Sequence, residues 1–179
     1  GQMCQFVGLE HLRMAERNAT PEEIRDGHAQ GYYPGYHSTD ILRMVEAGEA
    51  SSFFHVVTPE EANYLQGLAQ KSRLQIPLII GIDAIHGNGL YSGATIYPTS
   101  IGQAATFDPD LVERLCRETA LEMRAMGAQW TFNPNVEVAR DARWGRCGES
   151  FGEDPLLTSV MAAAYERRMQ QTGTATSLK

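Results

Sequence analysis

The stretch Ile-Pro-Leu-Ile-Ile-Gly-Ile-Asp, at residues 76–83, is an apolar run that ends in a carboxylate. A strand covered on both faces of a parallel sheet has such a continuous run of Ile, Leu and Val without alternation. In parallel sheets and barrels, ligands bind at the carboxyl ends of the strands. The run therefore predicts a buried parallel strand that delivers Asp83 into a site.

The loop after this strand is rich in hydrogen-bonding groups. It reads Ala-Ile-His-Gly-Asn-Gly at residues 84–89, so Asp83, His86 and Asn88 lie close together among glycines. This composition is typical of a binding loop on a rigid scaffold, since a capping residue alone needs fewer polar groups. The alternative that Asp83 only caps the loop remains open.

Predicted strands alternate with predicted helices along the chain. The strands are expected at residues 51–57, 76–83, 130–134 and 175–178. The helices are expected at residues 1–8, 40–47, 59–73, 99–106, 109–126 and 155–171, with start signals at Ser38 or Thr39, Thr58, Asp108 and Asp154. This alternation indicates parallel crossover units, because two parallel neighbours need a long connection.

Two architectures share this alternation, a doubly wound open sheet and a (β/α)8 barrel. No Gly-x-Gly-x-x-Gly follows the first predicted strand, and Gly87-Asn88-Gly89 lacks the third glycine, which removes the main support for a dinucleotide fold. A barrel usually has about 250 residues or more, so four strands predict the first half of a (β/α)8 barrel. We expect an N-terminal helix and irregular segment at residues 1–37 and the half barrel at residues 38–179, with the remainder of the barrel absent.

The composition excludes several classes of function. The net charge of −7 argues against a nucleic-acid partner, because binding to a polyanion requires clustered Lys and Arg. There is no apolar run of about eighteen residues, so no membrane span is predicted. Cys4, Cys116 and Cys147 fit neither a metal-binding spacing nor a disulfide framework and are expected to be free thiols.

Residues 140–154 form a segment dense in charge, with three arginines, four acids and one tryptophan. A surface network of such pairs would contribute only about 0 to 1 kcal/mol per pair to stability. In a binding site, Arg and Asp would instead hold vicinal hydroxyls by paired hydrogen bonds, and Trp144 would offer an apolar face for stacking. The sequence alone leaves both interpretations open.

The barrel prediction also implies where polar residues meet. The strand exits would place Asp83, the Asn133-Pro134-Asn135 corner and Lys179 around one mouth, with the first exit near His55. An acid, amides and a base would then share one cleft.

Three segments resemble the N-terminal barrel of glycoside hydrolase family 3, and in particular its bacterial β-glucosidases. They are Gly-Ile-Asp-Ala-Ile-His-Gly at residues 81–87, Gly-Ala-Thr-Ile-Tyr-Pro at residues 93–98, and residues 140–155 with Arg-Trp-Gly-Arg at 143–146. The resemblance extends over residues 38–179 and touches a Gly1-Gln2-Met3 helix. The Arg-Trp-Gly-Arg segment is highly specific, so a chance match over three ordered motifs is very improbable.

The resemblance implies sugar-binding roles in this chain. By it, Asp83 and Arg146 grip sugar hydroxyls in the −1 subsite, and Lys179 is the lysine of the family's Lys-His pair, a further hydroxyl ligand. The possible supporting residues are His86, Trp144 and Glu149.

The resemblance further implies a retaining β-glycosidase, and in particular a β-glucosidase, whose catalytic groups lie outside this chain. The family takes an aspartate nucleophile from a later strand and a glutamate acid/base usually from a second domain, so this chain alone is expected to be inactive. It implies no cofactor and no metal. The expected substrate is a β-linked glucoside or gluco-oligosaccharide, the expected location is periplasmic or secreted, and the remainder of the polypeptide or another chain completes the barrel.

Two other functions remain open. A non-catalytic sugar-binding or assembly module would need only the −1 contacts. A metal-dependent barrel hydrolase would use Asp83, His86 and His55, although such a site needs about three protein ligands and His86 is better explained by a hydrogen bond to loop backbone. Asp83 and Glu149 resemble a catalytic carboxylate pair, but under the resemblance Asp83 binds hydroxyls and Glu149 orients Arg146.

Overall fold

The chain folds into parallel strands interleaved with helices. The computed structural model describes residues 5–18, 20, 22–23, 33 and 36–179. The strands are β1 (Gln5–Val7), β2 (Ser52–Phe54), β3 (Ile79–Ile82) and β4 (Trp130–Thr131), in the sheet order β1-β2-β3-β4. The helices are α1 (Leu9–Asn18), α2 (Ser38–Ala47), α3 (Pro59–Ala69), α4 (Ser100–Ala104), α5 (Pro109–Met126) and α6 (Pro155–Gln171), and a short 3-10 helix covers Cys147–Glu149. The predicted α/β class with about four parallel strands is confirmed.

The chain divides within β3 into two compact units, Gly1–Gly81 and Ile82–Lys179. In the first unit, β1 pairs with β2 and β2 pairs with β3, both in parallel, so that Phe6, Phe53 and Ile80 lie in register. Phe53 and Ile80 have no exposed surface, and Phe6 has almost none. These three side chains form the centre of the first unit's core.

The apolar run at residues 76–83 is only partly buried. Ile80 and Ile82 are fully buried, whereas Ile76 and Ile79 are 63% and 53% exposed. The prediction of a strand covered on both faces is therefore correct only for its second half, which is the half that leads to Asp83. The strand is also shorter than predicted because ladder pairing begins at Ile79.

The structure corrects the helix predicted at residues 1–8. Gln5–Val7 is a strand, and its pairing with β2 supplies the hydrogen bonds. Three residues are too few to show a helical or strand period, so a tertiary partner decides their conformation. The predicted Gly1-Gln2-Met3 helix and Cys4 lie outside the described residues.

The cap of α2 differs from the prediction by one residue. His37 is the N-cap, its ring accepts from the amide of Thr39, and Asp40 accepts in return from the His37 amide at 3.1 Å. Ser38 is drawn inward instead, because Glu16 accepts hydrogen bonds from both its amide and its hydroxyl. The helix therefore begins at Ser38, with a reciprocal capping box around it.

β2 and α3 end earlier than predicted. β2 ends at Phe54 because His55 takes a φ of 53°, outside the extended region. α3 ends at Ala69, where the backbone bonds shorten to a turn as the Ser72 amide donates to the Ala69 carbonyl. Residue propensity predicted that both elements continue past these points, but the backbone conformation there ends them.

The second unit contains the exit of β3 and all of β4. The Phe132 amide donates to the Ile82 carbonyl at 3.1 Å, which joins the end of β3 to β4. On its other side, β4 meets residue Ala175 in a single parallel bridge, with the Thr131 amide donating to the Ala175 carbonyl at 2.8 Å. The strand predicted at residues 175–178 is thus present only as this bridge and isolated backbone bonds.

Both long helices of the second unit begin and end as predicted. Asp108 accepts from the Leu111 amide at the start of α5, and Asp154 accepts from the Leu157 amide at the start of α6. Gly127 ends α5 with a φ of 103°, a conformation in which glycine is favoured. The buried residues of these two helices include Val112, Cys116, Ala120, Met123, Met161, Ala164, Tyr165 and Met169.

Two predicted exclusions concern thiols and membranes. Cys116 is buried, Cys147 is half-buried, and both are free thiols as predicted. Burial raises the pKa of the Cys116 thiol, which opposes thiolate formation.

Among the described helices, none has the length and apolar content required to cross a membrane.

Glu61 is a buried acid in the first unit. It lies in the first turn of α3, is 8% exposed, and its Oε1 accepts from the Leu9 amide at the start of α1. Its other oxygen is buried without a hydrogen-bond partner in the described part of the chain. Burial raises the pKa of Glu61 above its ordinary value, an effect that the Leu9 amide only partly offsets. The ionised form is therefore disfavoured in the folded state.

We expect Glu61→Gln to remove a pH-dependent loss of stability. Because the folded pKa is raised, the folded state binds more protons than the unfolded state, and stability falls as pH rises above the unfolded pKa of about 4.3. Relative to the variant, the wild type should lose free energy of unfolding as the pH rises through the folded pKa. Denaturant unfolding across pH measures this, with exposed Glu60→Gln as the matched control. Parallel pH profiles for wild type and Glu61→Gln would contradict it.

Candidate functional site

Asp83 lies directly after β3, at the start of the second unit's first loop. Its side chain is half-buried, beside the fully buried Ile82 and Ala84. The Ile82 carbonyl accepts from the Phe132 amide at 3.1 Å, and the Ala84 carbonyl accepts from the Tyr165 hydroxyl at 3.1 Å. The backbone on each side of Asp83 is therefore anchored.

His86 holds the loop to the segment before α4. Its Nδ1 lies 2.8 Å from the Tyr97 carbonyl, and its own carbonyl accepts from the Tyr97 amide at 2.8 Å. The ring is thus hydrogen-bonded to loop backbone, as its structural interpretation predicts. A neutral imidazole that donates through Nδ1 satisfies this geometry.

Gly87 permits a close approach of two backbone segments. It has a φ of 104°, and a Cβ built on it would lie 2.1 Å from the Thr95 carbonyl oxygen. Thr95 is itself fixed, because Glu122 of α5 accepts from its amide at 3.1 Å and from its hydroxyl at 2.9 Å. The loop that carries Asp83 is therefore packed against a second loop that α5 holds in place.

Arg146 and Glu149 form a two-point ion pair that interacts electrostatically with Asp83. The Nε of Arg146 lies 3.1 Å from both carboxylate oxygens, and its Nη2 lies 2.6 Å from Oε2; the side chains are 45% and 29% exposed. The bonds from Arg146 hold the pKa of Glu149 below its usual range, and the charge of Lys179 lowers it further, whereas burial and the charge of Asp83 raise it. The pKa of Arg146 is raised, first by Glu149 and also by the charge of Asp83. The structure thus brings Asp83, Arg146, Glu149 and Lys179 into one electrostatic cluster.

Arg143 and Asp141 form a separate pair at the surface. Arg143 is 90% exposed and Asp141 52% exposed, with Nη2 2.5 Å from Oδ2. Exposed pairs of this kind contribute little to stability. Trp144 follows, half-buried, and its amide donates to the Asp141 carbonyl at 3.0 Å. The two arginine pairs of residues 140–154 therefore differ in exposure, since Arg143 and Asp141 are more exposed than Arg146 and Glu149. The sugar-binding interpretation of this segment stays a prediction.

Lys179 lies four residues after Ala175, the residue that bridges to β4, and is exposed. Its ammonium is 5.5 Å from the centroid of the Phe132 ring, which packs edge-on against Trp130 at 4.6 Å. Its backbone amide donates to the Pro134 carbonyl at 3.1 Å, and its carbonyl accepts from the Val136 amide at 2.7 Å. A cation over an aromatic face is stabilised electrostatically and keeps its remaining donors available.

The Asn133-Pro134-Asn135 corner is buried rather than open. Asn133 and Asn135 are 2% and 1% exposed, and the peptide bond before Pro134 is cis. The Oδ1 of Asn135 accepts from the Glu137 amide at 3.1 Å. The amides expected around the mouth therefore serve the interior of the second unit.

The residues of the metal hypothesis find no cluster in the structure. The His86 ring is hydrogen-bonded to the Tyr97 carbonyl, and His55 belongs to the first unit, where it follows the end of β2. No group of three or more His, Cys, Asp or Glu in the described ranges could hold a metal ion. This hypothesis gains no support from the described residues.

Tyr165, Thr95 and Glu122 hold the loop that carries Asp83, and the sequence analysis assigned none of them a role. Tyr165 lies on the buried face of α6, where an aromatic that donates a hydrogen bond has the same pattern as one that only packs. Thr95 and Glu122 are far apart in sequence and meet only through the fold. No local signal could have found them.

The comparisons with known proteins point to one family. The family model described as "Glycosyl hydrolase family 3 N terminal domain" matches residues 36–179. The chain is 37% identical over 131 residues to the "Periplasmic beta-glucosidase" of Salmonella typhimurium, which covers 73% of this chain and 16% of that protein. It is 39% identical over 117 residues to a "Beta-xylosidase" of Formosa agariphila, which covers 63% of this chain and 16% of that protein.

A solved structure supports the same relationship. The chain superposes on a β-glucosidase involved in saponin metabolism from intestinal bacteria with a TM-score of 0.72 and 37% identity. The match covers 78% of this chain and 20% of that one. The predicted fold, with the parallel strands and helices of a (β/α)8 barrel's first half, is confirmed by this likeness, and the chain spans a small part of the relatives it matches.

We expect Gly87→Ala to destabilise the chain much more than Gly93→Ala. Both glycines have a positive φ, 104° and 99°, but only a Cβ at residue 87 would meet backbone, since nothing lies within 4 Å of one at residue 93. Strain alone costs about 1–2 kcal/mol for an alanine at such a φ, and the contact with Thr95 adds to it. Denaturant unfolding of both variants measures the difference. Equal losses would show that the close approach is easily relieved.

Proposed function

Because this chain belongs to glycosyl hydrolase family 3, we propose that it provides the sugar-binding side of a retaining β-glycosidase active site. The enzyme hydrolyses terminal non-reducing β-D-glucosyl residues. The observation that carries this proposal is the two-point Arg146–Glu149 ion pair, whose charges interact with those of Asp83 and Lys179. It combines acceptors and donors, which is what vicinal hydroxyls require.

In this proposal, Asp83 and Arg146 hold the sugar in the −1 subsite. A carboxylate accepts hydrogen bonds from two adjacent hydroxyls, and a guanidinium donates in a fixed plane. Glu149 accepts from Nε and Nη2 of Arg146, so in this proposal Nη1 is the nitrogen that donates to a sugar hydroxyl. Lys179 adds a further donor, while Trp144 and His86 support the two loops.

The proposal assigns neither Asp83 nor Glu149 to bond cleavage. Retention uses two carboxyl groups about 5–5.5 Å apart, and the general acid must have a raised pKa. The pKa of Glu149 is instead lowered by Arg146, which makes it a poor proton donor. We therefore propose that the nucleophilic aspartate and the acid/base glutamate come from polypeptide outside residues 1–179, in the same protein or in another chain. Residues 1–179 alone would be inactive.

The names of two relatives support a β-linked substrate and an exported enzyme. One relative is named a periplasmic β-glucosidase and another a β-xylosidase. We propose glucosides as the substrate and a periplasmic or secreted location, with no cofactor. Hydrolysis of aryl β-D-glucoside by the complete gene product tests this activity, and an aryl β-D-xyloside measures the preference.

A second candidate is a sugar-binding or assembly module without catalysis. The observation that favours it is that the proposed binding groups all lie within residues 82–179, whereas Arg146 lowers the pKa of Glu149 and so makes it a poor general acid. Glucose binding by the complete gene product, without turnover of aryl glucosides, would support this candidate and reject the first.

We expect Asp83→Asn to lower kcat/KM for the aryl glucoside. The loss of transition-state binding should be at least about 2 kcal/mol, as for the loss of a charged hydrogen-bonding partner. Asp110→Asn, an exposed acid of α5, is the matched control and should change kcat/KM less than about twofold. Steady-state kinetics of the complete gene product measures both. An unchanged kcat/KM in Asp83→Asn would remove Asp83 from the site.

We expect Arg146→Lys to lower kcat/KM by at least about tenfold, because lysine cannot satisfy Glu149 and a sugar hydroxyl in one plane. Arg143→Lys changes the same residue type three positions earlier, in a pair that is almost fully exposed, and should leave kcat/KM within about twofold. The same kinetic assay separates them. Equal losses would mean that the loop as a whole, rather than Arg146, was perturbed.

A further inference from the structure

We infer that Tyr165 is a positioning residue for Asp83, because its hydrogen bond to the Ala84 carbonyl holds the backbone next to Asp83 in place. This inference rests on the proposed function, since it concerns how Asp83 is presented to a sugar. It concerns a residue on α6, outside all the segments that suggested a sugar site.

The geometry consists of one anchor on each side of Asp83. On one side, the Ile82 carbonyl accepts from the Phe132 amide of the segment that continues β4, at 3.1 Å. On the other, the Ala84 carbonyl accepts from the Tyr165 hydroxyl, also at 3.1 Å. The chain has left the sheet at Ala84, so a side chain replaces the strand partner that a carbonyl would otherwise have.

The burial of these groups makes the second anchor important. Ala84 has no exposed surface and Tyr165 is 3% exposed, so water is a poor substitute for the hydroxyl. A buried carbonyl left unpaired is costly, and the backbone would move to find another donor. That movement would displace Asp83, which is the adjacent residue.

Thr131 keeps the tyrosine hydroxyl pointed at Ala84. Its Oγ1 lies 3.4 Å from the Tyr165 oxygen and is fully buried in β4. A phenol has a single proton, so donation to Ala84 leaves its oxygen free to accept from Thr131. Burial raises the pKa of Tyr165, which keeps that proton in place at working pH.

A double-mutant cycle separates positioning from packing. Tyr165→Phe retains the ring and removes only the hydroxyl, and we expect kcat/KM for the aryl glucoside to fall about fivefold to tenfold, as for one lost hydrogen bond. In the Asp83→Asn background, the same change should cost less than about twofold, because there is no longer a carboxylate to position. An equal loss in both backgrounds would overturn the inference.

The control removes a buried hydroxyl from the same helix. Thr158 is 3% exposed, and its Oγ1 has no hydrogen-bond partner in the described part of the chain. Thr158→Val should therefore leave kcat/KM within about twofold. If Thr158→Val lowered kcat/KM as much as Tyr165→Phe, any buried change in α6 would reduce activity, and the inference would also be overturned.

Hydrogen exchange keeps the inference testable without activity. In the complete gene product, Tyr165→Phe should raise the amide exchange rate of residues 83–88 at least about fivefold, as the lost hydrogen bond allows local opening, whereas Thr158→Val should not. If the wild type hydrolyses no glycoside, the proposed function fails, and exchange alone decides the anchor. Unchanged exchange in Tyr165→Phe would reject it even in an active enzyme.

Discussion

The two carbonyls that flank Asp83 carry the constraint on which the rest of the site depends. One is held by the segment that continues β4 and the other by a hydroxyl from α6. Fixing the backbone on both sides of a half-buried acid leaves little freedom at its Cα, so the point from which the carboxylate extends is set during folding. Such preorganisation lowers the cost of binding, because the ordering has already been made during folding.

The charges around Asp83 are compensated by neighbouring charges of opposite sign. Arg146 is hydrogen-bonded to Glu149, and the negative charge of Asp83 also stabilises its positive charge. The positive charge of Lys179 stabilises the ionised form of Glu149. A neighbouring pair, Arg143 with Asp141, lies out in solvent. One short segment thus contains two ion pairs of the same chemistry that differ in exposure.

Strong local signals account for what was predicted correctly. The caps at Asp108 and Asp154 each combine a side-chain acceptor with a following proline, and both long helices begin there. The helix expected at residues 1–8 is a strand instead, because pairing with β2 outweighs the preference of three residues. His37 rather than Ser38 caps α2, since the Ser38 hydroxyl finds a tertiary partner in Glu16. The errors occur where a contact distant in sequence competes with a local one.

The sequence by itself determined the strand-to-loop transition at Asp83, because an apolar run that stops at an acid depends on neighbouring residues alone. It also determined the α/β alternation and the segments that resemble one family. Only the tertiary structure decided that Gly87 lies against Thr95 and that the Tyr165 hydroxyl reaches Ala84. These contacts join residues from separate elements, and their geometry exists only after β4, α5 and α6 have packed.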